Sequence, residues 1–228
     1  MRPVIFWTTC LAGLAVAYLL GATPTGYLAG RLLKGVDIRE HGSKSTGATN
    51  VLRTLGPWPA LAVFLVDLLK GVAAIAFTRW LYTWLATAPS ITPPAGFDPQ
   101  VWTPWAVCLA GLAVVFGHSR SVWLKFTGGK SAAAGLGVLL AMSWPVGLGA
   151  ALVVVATLAI FRIVSSSSML GAVTAMALIC GLTEPLPYRL LVIAGGLYVI
   201  LLHRANIGRL LAGTEPRIGQ SSPPSGPT

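Results

Sequence analysis

The recurrence of long apolar runs constrains this chain more than any other feature. Seven of them, at residues 4–20, 58–77, 101–117, 132–143, 146–161, 169–182 and 187–202, approach the ~20 residues that an α-helix needs to cross a ~30 Å hydrocarbon layer. With 55% hydrophobic and only 10% charged residues, where a soluble domain carries roughly 25% charged, the chain has more aliphatic surface than one water-soluble core could hide. Its solvent is therefore lipid over most of its length. The expectation is an all-α polytopic membrane protein with about seven transmembrane helices. The fourth run is short, and Trp144-Pro145 predicts a turn between it and the fifth, with one long kinked helix as the alternative. Arg2 ahead of the first run gives it the look of a signal peptide. The run is longer than a usual h-region, however, and no small-residue cleavage pattern leads into a soluble domain, so a retained helix is expected.

Charge sets the orientation. With seven spans, alternate loops collect Arg31, Lys34, Arg39, Lys44 and Arg53, then Arg120, Lys125 and Lys130, then Arg162, and finally Arg204, Arg209 and Arg217. Only Arg2, Arg79 and Arg189 fall on the other side, and Lys70 lies within a span. The positive-inside rule then places the N-terminus outside and the C-terminus in the cytoplasm. The formal net charge of +10 calls for anionic lipid headgroups or an anionic substrate, and the apolar spans argue against nucleic acid.

Residues 1–219 read as one transmembrane domain and the Ser-, Pro- and Gly-rich stretch 220–228 as a disordered tail. The loop 87–100 carries a single charge, Asp98, and nothing in it suggests chemistry. Cys10, Cys108 and Cys180 each lie in an apolar stretch without CxxC or Cys/His spacing, so they read as packing residues, and no metal site is expected.

Three segments on the basic side are too polar to be plain connectors. They are residues 42–53 (GSKSTGATNVLR), the stretch from Gly117-His118 to Phe126-Thr127-Gly128-Gly129-Lys130-Ser131, and Ser165 to Ser168 together with His203 to Asn206. Glycines let backbone N–H groups converge into a concave nest for anionic oxygens, and hydroxyls, an Asn amide and Lys or Arg complete a phosphate site. The Gly-Gly-Lys-Ser tetrapeptide invites comparison with a nucleotide-binding P-loop. That motif needs a Gly where Leu124 stands and a strand where an apolar helix is expected, so an NTPase is rejected. A Gly-rich turn feeding a helix N-terminus still favours an anion. Asp67 and Lys70, three residues apart within a span, are expected to pair with each other as structural support.

Read in order, these segments resemble the bacterial acyl-phosphate-dependent glycerol-3-phosphate acyltransferases, the PlsY family. The matching stretches are GSKSTGATNVLRTLG (42–56), DLLKG (67–71), GHSRSVWLKFTGGKSAAAGLGVLL (117–140), RIVSSSS (162–168) and HRANIGRLLAGTEPRIG (203–219). Lys44 stands where the family usually has Gly, Ser45 where many members have Asn, Ala134 where Thr is common, and Ser166 where Leu is common. The resemblance implies a seven-helix fold with the N-terminus outside, and transfer of a fatty acyl group from acyl phosphate to the 1-hydroxyl of sn-glycerol 3-phosphate. Lysophosphatidic acid and phosphate are the implied products, formed in the bacterial inner membrane, with an active site facing the cytoplasm and no cofactor. By motif position it assigns Ser43, Arg53, Lys130, Ser168, His203 and Asn206 to catalysis. Gly42, Thr49, Asn50, His118, Gly128, Gly129 and Glu215 become substrate-binding residues, Glu215 by orienting an Arg or Lys. Membrane lipid and the soluble enzyme that makes the acyl phosphate are the implied partners.

Two rival classes are testable on the sequence. A His/Asp dyad acyltransferase needs Asp five positions on from a His, and Thr46, Trp123 and Gly208 occupy those positions. A transporter for a phosphorylated solute would favour internal repeats and polar breaks at mid-membrane. Here no repeat is evident, and the polar segments gather on one side.

Overall fold

A computed structural model of the chain describes residues 2–220; all of the predicted tail but Gln220 lies outside the described residues. Among the described residues there are ten α-helices and no strand element. Helix α1 (Arg2–Ala22) is followed by the short α2 (Thr25–Lys34) and α3 (Ala48–Leu55), then by the 31-residue α4 (Pro57–Thr87). Helix α5 (Pro99–Ser119) precedes the pair α6 (Ala132–Met142) and α7 (Trp144–Phe161), and α8 (Val164–Gly181), α9 (Leu186–Leu202) and α10 (Arg204–Leu211) complete the order. All seven predicted apolar runs are helical.

Five helices among the described residues, α1, α4, α5, α7 and α8, are long and apolar enough to cross a bilayer. A sixth joins them if α9 counts together with α10, from which it is bent by 57°. Helix α6 has 11 residues, a rise of only about 16 Å. Leu152 and Ile160 of α7 are 62% and 71% exposed, an arrangement that only a lipid solvent tolerates over a whole helix.

Three boundaries differ from the sequence expectation, each for a local reason. The break between α6 and α7 falls at Ser143, whose φ of −142° and ψ of 96° leave the helical region. Trp144 and Pro145 instead open α7, where the missing proline N–H removes no bond. Helix α8 begins at Val164 rather than 169, because the hydroxyls of Ser165 to Ser168 depress the hydropathy of a turn that is nonetheless helical. Helix α4 continues ten residues past 77 and so encloses Arg79, expected in an outer loop. Arg79 instead caps α6: its Nη1 donates to the Ala141 carbonyl at 2.8 Å and its Nη2 to that of Met142 at 2.9 Å. Those are orphan acceptors at a helix C-terminus.

Helices α4 and α6 meet backbone to backbone. A Cβ on Gly137 would strike the Leu68 carbonyl, and one on Gly71 the carbonyl of Ala134. This close approach brings the N-terminus of α6 beside Asp67 and Lys70 of α4. Cys108 is buried in the main core, Cys10 half-buried and Cys180 exposed, all as free thiols.

The polar segments gather at one end of the bundle. Tyr18 donates to the Arg120 carbonyl at 2.8 Å, Arg39 reaches Thr127 at 3.4 Å, and the Ile218 N–H donates to the Arg162 carbonyl at 2.7 Å. At the other end Phe6, Phe97 and Trp102 pack edge to face around Leu85 and Ile91.

Candidate active site

A cavity of about 550 Å³ lies between α4, α6, α7, α8 and α9, and its two ends differ in chemistry. The deep part is walled by Phe64, Leu139, Val154, Leu158, Ala175 and Leu191 and their apolar neighbours. From His203 back along α9 to Leu191 it covers about 18 Å. The other end is polar, with Ser43, Thr49, Asn50, Arg53, Asp67, His118, Lys130, Ser168, His203, Asn206 and Glu215 in its wall.

The N-termini of α3, α6 and α8 all contribute to this polar end, through Ala48, Ala132 and Val164. None has a side-chain cap, so first-turn N–H groups and the positive ends of three helix dipoles are left for an anion. Ser131 precedes α6 with φ of 60° and donates its hydroxyl to the Val115 carbonyl at 2.6 Å, fixing the turn that carries Lys130.

The first loop is organised by Asn50. Its Nδ2 donates to the carbonyls of Ile38 and Ser45 at 2.7 and 2.8 Å, and its Oδ1 accepts from the Ser43 N–H at 2.8 Å. With no exposure at all, Asn50 spends its amide on loop shape. Gly42 fits only without a Cβ, having φ of +55° and the Asn50 Oδ1 against it. Lys44, where the family favours Gly, is itself left-handed at φ 54°, so the backbone path survives the substitution. Among the described residues Arg53, exposed at the rim, has no hydrogen-bond partner, and neither Ser43 nor Ser168 commits its hydroxyl.

On the facing side Lys130 Nζ donates to Asn206 Oδ1 at 2.5 Å, and Asn206 Nδ2 donates to Glu215 Oε1 at 2.5 Å. The same Glu215 oxygen accepts from Ser165 at 2.7 Å, while Oε2 accepts from Arg209 Nε at 2.7 Å. Burial raises the Glu215 carboxyl's affinity for its proton, but these three donors outweigh it and hold the group below its ordinary 4.5. Burial pushes the Lys130 ammonium below its ordinary 10.5, with Arg209 and Arg53 adding to the effect and Glu215 opposing it. Burial also lowers His203. Its Nδ1 lies 2.8 Å from the Val199 carbonyl; a carbonyl can only accept, so Nδ1 carries the proton and Nε2 is an acceptor.

His118, in the last turn of α5, lies against the Gly128-Gly129 turn. The Gly129 N–H donates to the His118 carbonyl at 3.0 Å, and a Cβ on Gly129 would collide with His118 Nε2. Gly128 lies equally close to the His118 carbonyl. Both glycines sit behind the cavity wall and shape it through His118. Sequence reasoning thus named most of the polar end. It placed Asp67 outside the site, whereas Asp67 lines the cavity, and it did not single out Ser165 or Arg209. An ionisable group inside an apolar span was the signal that could have found Asp67.

Fold and cavity together define an integral membrane protein with an anion site at the mouth of an apolar cleft. The family model described as glycerol-3-phosphate acyltransferase matches residues 11–213. A "Glycerol-3-phosphate acyltransferase 2" of Rhizobium johnstonii is 71% identical over 217 residues, covering 95% of this chain and 99% of that one. A glycerol-3-phosphate acyltransferase of a Nostoc species is 56% identical, covering 94% and 95%. Among solved structures, PlsY (YgiH), described as an integral membrane glycerol 3-phosphate acyltransferase in its glycerol 3-phosphate form, superposes with a TM-score of 0.78 at 33% identity. That match covers 92% of this chain and 96% of the other. The lysophosphatidic acid form gives a TM-score of 0.76. This chain belongs to the glycerol-3-phosphate acyltransferase family of the PlsY type.

Proposed function

We propose that this chain transfers a fatty acyl group from acyl phosphate to the 1-hydroxyl of sn-glycerol 3-phosphate, releasing lysophosphatidic acid and inorganic phosphate. The observation that carries the reading is the single cavity in which an apolar cleft of about 18 Å ends at Lys130, Arg53 and three uncapped helix N-termini. An acyl chain fits the one part and two phosphates the other. The relatives' names and the two ligand forms of the solved relative support the same pair of ligands.

The chemistry asks little of a protein base. The glycerol oxygen attacks the carbonyl carbon of the mixed anhydride, a C–O bond forms, and the bond from that carbon to the phosphate oxygen breaks. The hydroxyl proton leaves with the phosphate, which is a good leaving group already. What remains for the protein is to hold two mutually repelling anions together and to stabilise charge on the carbonyl oxygen and the departing phosphate. Lys130, positioned by Asn206 and Glu215, and Arg53 at the rim perform that task, with the Ser43 and Ser168 hydroxyls as further donors. His203 Nε2 accepts from a glycerol hydroxyl.

Seven membrane-spanning segments, with α6 as a short one and the N-terminus outside, agree with the distribution of Lys and Arg and put this mouth at the cytoplasmic face of a bacterial plasma membrane. Purified protein given palmitoyl phosphate and glycerol 3-phosphate, with no added ATP or metal, is expected to yield phosphate and lysophosphatidic acid in equal amounts. Lys130→Ala and Arg53→Ala are expected to abolish turnover with helicity intact. An inactive preparation of demonstrably folded wild-type protein would overturn the reading.

A further inference from the structure

Lys130, Arg53 and the helix N-termini donate or carry positive charge, as suits phosphate, whose oxygens only accept. Besides Glu215, whose oxygens are taken by Ser165, Asn206 and Arg209, the cavity wall holds a second carboxylate. Asp67 is 1% exposed and lines the cavity. Its Oδ1 takes Lys70 Nζ at 2.8 Å and the Thr25 hydroxyl, while Lys70 also donates to the Thr23 carbonyl at 3.1 Å. Among the described residues none donates to its Oδ2. His118 Nδ1, 3.7 Å from Oδ1, is buried and has no hydrogen-bond partner.

A carboxylate beside two phosphate anions is repulsive, and its Oδ2 is left without a donor where Oδ1 has two. Ion pairing with Lys70 accounts for Oδ1 and leaves Oδ2 unexplained. The substrates of the proposed reaction supply the missing partner. Acyl phosphate offers acceptors, and the donors that glycerol 3-phosphate brings are its two hydroxyls. Two residues of the cavity wall each keep an acceptor to which no described residue donates, His203 at Nε2 and Asp67 at Oδ2.

We infer that, in the complex with glycerol 3-phosphate alone, Asp67 Oδ2 accepts a hydrogen bond from one glycerol hydroxyl and His203 Nε2 from the other, the 1-hydroxyl turning its proton to the acyl phosphate when that arrives, so that Asp67 is a substrate-positioning residue as well as the partner of Lys70. This rests on the function proposed above. The arrangement also sets polarity within the site: the phosphates are drawn to Lys130 and Arg53 and repelled from Asp67, so the glycerol lies with its hydroxyls toward the carboxylate. A glycerol 3-phosphate molecule entering the wrong way round would set phosphate against carboxylate.

The test uses two analogues that each lack one hydroxyl, 3-hydroxypropyl phosphate (no 2-hydroxyl) and 2-hydroxypropyl phosphate (no 1-hydroxyl). Binding of each to the full-length protein is measured by competition with glycerol 3-phosphate. In the wild type each deletion is expected to weaken binding about tenfold or more, as loss of a hydrogen bond to a buried polar group does. In Asp67→Asn, where a donor can face the cavity, one of the two deletions becomes silent to within about twofold, while the other keeps its full effect. Asp67→Glu keeps the charge beside Lys70 but displaces the acceptor, and is expected to show the same selective loss; it serves if Asp67→Asn does not fold. A purely structural Asp67 would weaken glycerol 3-phosphate and both analogues in parallel. That result, or both deletions costing as much in the variants as in the wild type, overturns the inference. Failure of the underlying function is seen separately, as a folded wild type that neither binds nor acylates glycerol 3-phosphate.

Discussion

Lys130 and Asn206, 76 residues apart in sequence, meet through a 2.5 Å hydrogen bond from ammonium to amide oxygen. The amide is held in turn by Glu215, which also binds Arg209. The Gly-Gly-Lys turn and the C-terminal segment are therefore one device, in which Glu215 holds Asn206 and Asn206 fixes the position of the Lys130 ammonium.

Glu215→Gln breaks that device at its anchor. One side-chain oxygen becomes a donor facing either Arg209 or the pair Ser165 and Asn206, and a buried unpaired donor costs about 1–3 kcal/mol. The expected outcome is a fall in kcat/KM of roughly tenfold or more, with the acyl-phosphate assay as the measure. Retention of wild-type turnover would remove Glu215 from the positioning chain.

Acid and alkali act through different residues. His203 is held below its ordinary 6.5, so the unfolded chain binds that proton more readily than the folded one. Stability is then present above 6.5 and falls as pH drops from there toward the folded value. His203→Gln is expected to flatten this loss in melting curves taken between pH 7 and about 5. Glu215, held below 4.5, contributes stability that is lost only as pH falls further. Lys130, held below 10.5, loses its charge earlier in alkali than a free lysine. Turnover is expected to decline along an alkaline limb centred below 10.5, and residual turnover of Lys130→Arg should lack that limb, because a guanidinium stays protonated.

Lys44 occupies a left-handed position at φ 54°, exposed and outside the cavity wall. A left-handed non-glycine residue costs roughly 1–2 kcal/mol, while glycine adds about 0.5–1 kcal/mol of backbone entropy to be lost on folding. Lys44→Gly is expected to stabilise the protein by about 1 kcal/mol or less and to leave turnover within about twofold. Chemical denaturation in detergent and the turnover assay check the two halves. A tenfold loss of activity would instead make Lys44 a substrate contact.

Arg79→Leu strands the carbonyls of Ala141 and Met142 at the end of α6 in a setting where water is scarce. A loss of about 2–4 kcal/mol in unfolding free energy is expected. Arg79→Lys, with a single nitrogen in place of the fork, should recover only part of it. Equal stability of all three proteins would mean that α6 needs no cap.

The long apolar helices were legible because hydropathy reports directly on the solvent that a segment meets. The short amphipathic helices α2, α3 and α10 were not expected, since none of them crosses anything and each looks like a polar loop. Arg79 misled because a charge usually marks the end of a span, and only the carbonyls of α6, 62 and 63 residues away, explain its place inside one. The polar end of the cavity could be read off its motifs residue by residue. Asn50 illustrates the limit of that reading: its presence was evident, but its use in shaping the loop became visible only with the carbonyls of Ile38 and Ser45 around it. Asp67 needed even more, the convergence of α2, α4 and α5 on one carboxylate.

The single cavity with its two unlike ends has a kinetic consequence. In the proposed reaction one reactant reaches it from bulk water and is counted in moles per litre, and the other arrives within the bilayer and is counted as a fraction of the lipid. Adding inert phospholipid at a constant total amount of acyl donor should therefore slow the reaction by surface dilution, while adding water at constant glycerol 3-phosphate concentration should not. The rate law of the proposed reaction has two concentration scales, and the junction between them lies inside the protein, where α6 starts.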